Sequence, residues 1–247
     1  MIDLHCHMLP AVDDGAASEE ESLAMARVAV QSGVTEIALT PHFNAPDASV
    51  GFSALELKRR MQQLQRLFQQ AELPLRLHTG MELFATPDLP GLLDAGSLLT
   101  LGGSHYLLVE FAFGEAPRFL DSTLRLLRSR GFRPVLAHPE RYYCVQDEPE
   151  LLLRWARGGI ALQLNKGSFF GMFGNHAART AKWCMQRGCL HLIGSDAHSP
   201  YRRTPRLSDI YDLVSDTSGP EIADFLLQEN PAAILADRPV QPVMAEF

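Results

Sequence analysis

The feature that most constrains this chain is an alternation. Short runs rich in Val, Ile and Leu are followed by longer amphipathic stretches along most of its length. The runs are "MIDLH", "EIALTPH", "LRLHTGME", "YLLVEF", "RPVLAH", "IALQLN" and "LHLIGSD". Most are nearly continuous in apolar residues, as parallel strands buried on both faces must be. Between them, helices are expected over 18–32, 53–71, 117–130, 148–157 and 175–187. Ser18 followed by Glu21 forms a capping-box pattern. Glycine follows four helical stretches, in "QSGV", "RSRGF", "WARGG" and "MQRGC", where a helix commonly stops. Seven strand–helix units with no linker or low-complexity tract predict an α/β protein. Its parallel strands form one closed or nearly closed barrel spanning residues 1–247; an open doubly wound sheet is the alternative.

The length of 247 residues suits one such barrel. A net charge of -7 and the lack of a basic stripe argue against nucleic acid as a partner. No apolar segment approaches the roughly 18 residues of a membrane span. The opening "MIDLHCHMLPAVDDG" lacks the basic flank and apolar stretch of a secretory signal. Cys6, Cys144, Cys184 and Cys189 show no C-x-x-C and no disulfide-framework spacing, so a reducing cytoplasm is the expected compartment.

Each predicted strand ends on a polar group. The ends carry His5 and His7, His42, Glu82, Glu110, His138, Asn165, and Asp196 with His198. Residues two apart in a strand face the same way, so His5 and His7 project together and Cys6 points away. In a parallel barrel all these ends lie on one rim, where barrel enzymes keep their chemistry. Many ionisable groups packed there without a partner would be strongly unfavourable. Metal cations remove the difficulty, and imidazole with carboxylate suits Zn, Mn or Fe.

These same residues carry a resemblance. "DLHCH", "TPH", "ME", "VEF", "AHPER" and "GSDAH", each at a strand end, resemble the polymerase and histidinol phosphatase superfamily. Within it, "DLHCHMLPAVDDG", "AHPERY" and the "SDAH...R" run resemble the bacterial manganese-dependent protein tyrosine phosphatases of capsule and exopolysaccharide loci. The likeness runs from residue 2 to about "ENPAAIL" and implies a distorted TIM-like barrel of about seven strands with two to three divalent ions. By resemblance, His5, His7, Glu82 and Asp196 hold one ion. Glu82 bridges to a second, shared with Glu110 and His138, and Asp14, His42 and His198 hold a third. Asp13 competes for the place of Asp14, or caps the turn. Manganese is the expected metal, with iron or zinc as alternatives. Arg141 and Arg203 resemble the family's phosphate-binding arginines, with Arg202 and Arg206 competing for the second role. The implied substrate is a phosphotyrosine protein, such as an autophosphorylated bacterial tyrosine kinase.

The chemistry of the residues agrees with that expectation. Three divalent ions would outweigh four ligand carboxylates and leave an anion-attracting pocket in an acidic protein. Metal-lowered water pKa gives a usable nucleophile, and in-line attack needs no covalent enzyme intermediate. None of the cysteines is followed six residues later by arginine, which argues against a cysteine phosphatase. Three other readings stand beside this one: a small-molecule phosphatase such as a histidinol phosphatase, a non-catalytic metal-binding module, and an amidohydrolase. The last often places a lysine after its fourth strand, where this chain reads "VEF". Finally, "NKGSFFGMFG" and Tyr142–Tyr143 predict an aromatic lip for a phosphotyrosine ring. Phe169, Phe170, Met172 and Phe173 would form it with the two tyrosines; the alternative is that these phenylalanines close the barrel end or seat the next helix.

Overall fold

The computed structural model describes residues 1–46, 51–96 and 98–243. The parallel strands are β1 (Ile2–Cys6), β2 (Glu36–Leu39), β3 (His42–Phe43), β4 (Arg76–Thr79), β5 (Glu82–Phe84), β6 (Tyr106–Glu110), β7 (Arg133–Ala137), β8 (Ala161–Asn165) and β9 (Leu192–Gly194). They pair as β1-β2-β4 and β3-β5-β6-β7-β8-β9. The second expected strand is thus divided into β2 and β3, and the third into β4 and β5. Pro41 has no N–H to give a ladder. Opposite it, a Cβ on Gly80 would lie 3.1 Å from the Leu39 carbonyl oxygen, so the two segments approach closely where the residue is glycine. Seven staves remain in chain order around a distorted TIM-like barrel. The last meets the first through Asp196 N to His5 O at 2.8 Å and His7 N to Ala197 O at 2.9 Å.

Alternation along each stave sorts side chains into two cores. Cys6, Ile37, Leu39, Leu107, Val109, Leu136, Leu162 and Ile193 face outward into one large apolar cluster shared with the helices. Ile2, Leu4, Ala38, Tyr106, Leu108, Val135, Ala137, Ala161 and Leu192 form a smaller inner cluster, joined by Leu101 and Ile234. Following an inner row upward shows the design. On β6, Tyr106 and Leu108 lead to Glu110; on β8, Ala161 leads to Gln163 and Asn165. The barrel is apolar at its N-terminal end and polar at its C-terminal rim.

Helices cover the outside at Glu19–Gln31, Ala54–Gln70, Pro117–Ser129, Glu150–Arg157 and Gly174–Gln186, each within two residues of expectation. Ser18 caps the first by accepting from Glu21 N. Gly33 and Gly131 end two of them with φ of 83° and 87°, values that a Cβ would strain. Helices at Leu89–Asp94, Ser208–Ser218, Pro220–Asp224 and Asn230–Leu235 were not among those expected. None of the described helices is long and apolar enough to cross a membrane.

Candidate metal centre

As expected, His5 and His7 project together at the rim and Cys6 packs away from them, and the pairing of β1 with β2 carries a bulge. Asp3 pairs with Ile37 but Cys6 pairs with Leu39, so β1 carries one residue more than β2 over that interval. Such a bulge re-aims side chains. It lets Leu4 stay in the inner cluster while His5 also turns toward the rim and Cys6 packs outward.

All nine predicted positions meet at this rim. Among the described residues, donor atoms fall into four overlapping groups, each within 4.8 Å: His7, Asp14, His42 and His198; His5, His7 and Asp196; His5, Glu82 and His138; His42, Glu82 and Glu110. Glu82 is the hub. Its Oε2 lies 3.1 Å from His42 Nδ1, 3.2 Å from His5 Nε2 and 3.3 Å from His7 Nε2. Yet this buried oxygen makes no hydrogen bond. Three imidazole nitrogens around an unbonded carboxylate oxygen could hold a shared cation, and this donor set suits a divalent one.

Neighbouring groups aim the donor atoms. His5 Nδ1 lies 2.8 Å from Gln163 Oε1, His7 Nδ1 lies 2.8 Å from Asp13 Oδ2, and His198 Nδ1 lies 3.0 Å from the Asp196 carbonyl. Each partner is an acceptor, so each Nδ1 holds the proton and leaves the Nε2 lone pair to the centre. Asp13 also accepts from the backbone of Gly15 and His42. It is therefore the orienting carboxylate of the "DDG" turn. Asp14 instead reaches His198 Nε2 at 3.3 Å and His42 Nε2 at 3.5 Å. Gly15 allows the turn: a Cβ there would lie 2.0 Å from the His7 carbonyl oxygen.

Two strand-end residues are held in the left-handed region, His138 at φ 33° and Asp196 at φ 49°. Such backbones cost about 1–3 kcal/mol each and gather at functional sites. The electrostatics are equally tense. Burial, then Glu82 and Asp196, push Glu110 up to about 9. Burial pulls His138 down to about 4. Burial alone would raise Asp196, but His5, Arg203 and His198 outweigh it and hold the carboxyl below its ordinary value. Asp14 is lowered first by its hydrogen bond from His198.

Both predicted arginines reach the same atom. Arg141 Nη1 is 3.5 Å from Asp196 Oδ2, and Arg203 Nη2 contacts that oxygen more closely. Arg202 and Arg206 are exposed. The aromatic lip needs correction. Tyr142 is buried, donating from its hydroxyl to Ala137 O and accepting from Phe111 N. Phe169 is half-buried against the core. Tyr143, Phe170 and Met172 are exposed at 61%, 48% and 50%.

Gln163 and Asn165 had no expected role beyond the strand end. Gln163 fixes His5, and Asn165 Nδ2 donates to Asp196 Oδ2. Their signal was present, since period two places both on the inner row of β8.

A model of the family described as "Capsular polysaccharide synthesis, CpsB/CapC" matches residues 1–236. The chain belongs to the CpsB/CapC family. Among its relatives, tyrosine-protein phosphatase YwqE of Bacillus subtilis is 32% identical over 98% of this chain and 96% of that protein. Tyrosine-protein phosphatase CpsB of Streptococcus pneumoniae is 28% identical over 96% of this chain and 99% of that one. The crystal structures of YwqE and CpsB are described as those of unique metal-dependent tyrosine phosphatases. One matches 99% of this chain and 100% of its own, with a TM-score of 0.89 at 31% identity. This family member therefore shares the fold along essentially its whole length.

Proposed function

We propose that this chain is a metal-dependent phosphomonoester hydrolase acting on phosphotyrosine proteins. The observation that carries the reading is Glu82 Oε2 among three imidazoles, beside two arginines that converge on Asp196. The metal ligands are His5, His7, Asp14, His42, Glu82, Glu110, His138, Asp196 and His198. They hold two to three ions, manganese first, with iron or zinc as alternatives. Bound divalent ions supply Lewis acidity and lower the pKa of water toward about 7.

The chain's own groups do the rest. Arg141 and Arg203 offer N–H donors to the phosphoryl oxygens and offset their charge. Asp196 fixes both guanidiniums. Asp13, Gln163 and the Asp196 carbonyl keep three imidazoles in one tautomer. Tyr143, Phe170 and Met172 offer apolar contact to an aryl leaving group. Residues 1–247 act as a single domain. The physiological partner is a phosphotyrosine protein such as an autophosphorylated bacterial tyrosine kinase. The compartment is the cytoplasm, in keeping with four free thiols.

The test is a panel of phosphotyrosine peptide, phosphoserine peptide and histidinol phosphate, assayed with stripped protein after adding back Mn, Fe, Zn, Co or Mg. Phosphotyrosine should be preferred to phosphoserine by at least about tenfold in efficiency, near 1.4 kcal/mol. Equal rates on the two peptides, or faster turnover of histidinol phosphate, would move the assignment to a small-molecule phosphatase.

A further inference from the structure

Phe173 was expected on the substrate lip, but its surroundings point elsewhere. The Arg141 guanidinium carbon lies 4.3 Å from the Phe173 ring centroid and 4.3 Å from that of Phe113. Arg203 lies 5.6 Å from the same Phe173 ring. One ring thus touches both arginines that meet at Asp196 Oδ2. Two guanidiniums aimed at one oxygen repel each other, and the negative face of an aromatic ring attracts each of them.

Phe113 packs edge-on to His138, with their ring centroids 6.1 Å apart, and also lies beside Tyr142. It forms the fixed side of the clamp. Phe173 forms the other side, from the segment after β8. That segment folds back closely over Gly167: a Cβ there would lie 3.0 Å from Phe173 Cε2 and 3.0 Å from Met172 Sδ. Met172 N donates to Gly167 O at 3.0 Å and closes the turn.

We infer that Phe173 is a positioning residue. Its ring holds Arg141 beside Phe113 and steadies Arg203, so that the arginines present their N–H edges to a phosphoryl group. A guanidinium whose central carbon lies 4.3 Å from each of two ring centroids keeps its N–H edges for an anion, the geometry suited to paired hydrogen bonds. This inference rests on the reading of Arg141 and Arg203 as phosphate-binding groups. It predicts that Phe173 governs affinity for the phosphate itself and not the choice of leaving group.

The experiment uses the full metal-loaded chain with Phe173→Leu, Phe173→Tyr and Arg141→Ala. Substrates are p-nitrophenyl phosphate and a phosphotyrosine peptide, with inorganic phosphate as product inhibitor. Phe173→Leu should raise both KM values and the phosphate inhibition constant together, by about 5–10-fold, with kcat within about twofold, the pattern of lost uniform binding. Phe173→Tyr should restore all three, and metal content should stay at the wild-type level. A KM change confined to the peptide, or no change with Phe173→Leu, would overturn the inference. Arg141→Ala separates the two ideas. If it leaves phosphate inhibition untouched, the phosphate-site reading fails. If it weakens inhibition while Phe173→Leu does not, only the clamp fails.

Discussion

Two buried histidines sit at opposite ends of the barrel, and burial lowers both to about 4. His191 lies just before β9 at the N-terminal end. Its Nδ1 accepts from Leu162 N at 3.1 Å, and its carbonyl accepts from Asn230 Nδ2 at 2.7 Å. It is a neutral ring tying backbone segments together. His138 lies at the rim, with Nε2 2.9 Å from Glu82 Oε1 and 3.5 Å from Glu110 Oε1. The same desolvation keeps it neutral among carboxylates, the state in which imidazole binds metal. One physical effect serves structure at one end and chemistry at the other. What differs is the company: apolar side chains fill the barrel below, ionisable ones above.

The sharpest way to break this contrast is at the hub. Glu82→Gln should lower kcat/KM by at least about a thousandfold, near 4 kcal/mol, and release most bound metal. The fold should persist in circular dichroism, because the lower core is untouched. Retained metal by elemental analysis with near-normal turnover would show that the rim set is not the centre. The converse change is Leu108→Ala in the inner cluster. It should cost about 2–5 kcal/mol of stability in urea titrations and leave metal stoichiometry unchanged; metal lost in parallel would deny the division of labour.

Next in size comes acid sensitivity. The His191 imidazole titrates near 6.5 when unfolded and about 4 when folded, so between those values the unfolded state binds more protons. The stabilisation is full above about 6.5 and is lost as pH falls toward 4, a change of about 3 kcal/mol. Urea midpoints of metal-loaded protein at pH 7, 6 and 5 should show this slope, and His191→Gln should flatten it. An unchanged slope in that variant would place the sensitivity elsewhere. The smallest effect is expected at the exposed lip: Phe170→Ala should narrow the phosphotyrosine-over-phosphoserine preference by about two- to threefold, near 0.5 kcal/mol, with metal content intact. A widened preference would remove Phe170 from substrate contact.

Much of this arrangement is legible in the sequence. Buried parallel strands write themselves as apolar runs, and a polar residue closing each run marks the rim, so the nine donor positions stood out together. Helix limits followed from Ser18 and from the glycines that end the turns. Other features had weaker signals. Pro41 and Gly80 marked the divisions of two staves, yet long apolar runs read as unbroken. The segment 208–218, "SDIYDLVSDTS", mixes β-branched and small polar residues that favour helices weakly, and its helix depends on packing. The left-handed backbones of His138 and Asp196 leave no compositional trace, since tertiary contacts impose them. Tyr142 and Tyr143 are neighbours in sequence, and only the turn after β7 decides which is buried.

The pairing of the last stave with the first has a consequence for the order in which the site comes into being. A chain is synthesised from its N-terminus at roughly 5–20 residues per second. The histidines at positions 5 and 7 therefore emerge roughly 10–40 seconds before position 198 can meet them. Until then β1 lacks its second neighbour, and no partial chain contains the full donor set. Metal capture by the complete centre would thus report that synthesis has run at least to His198, and a truncation before Asp196 should leave the opening pair without its closing ligands.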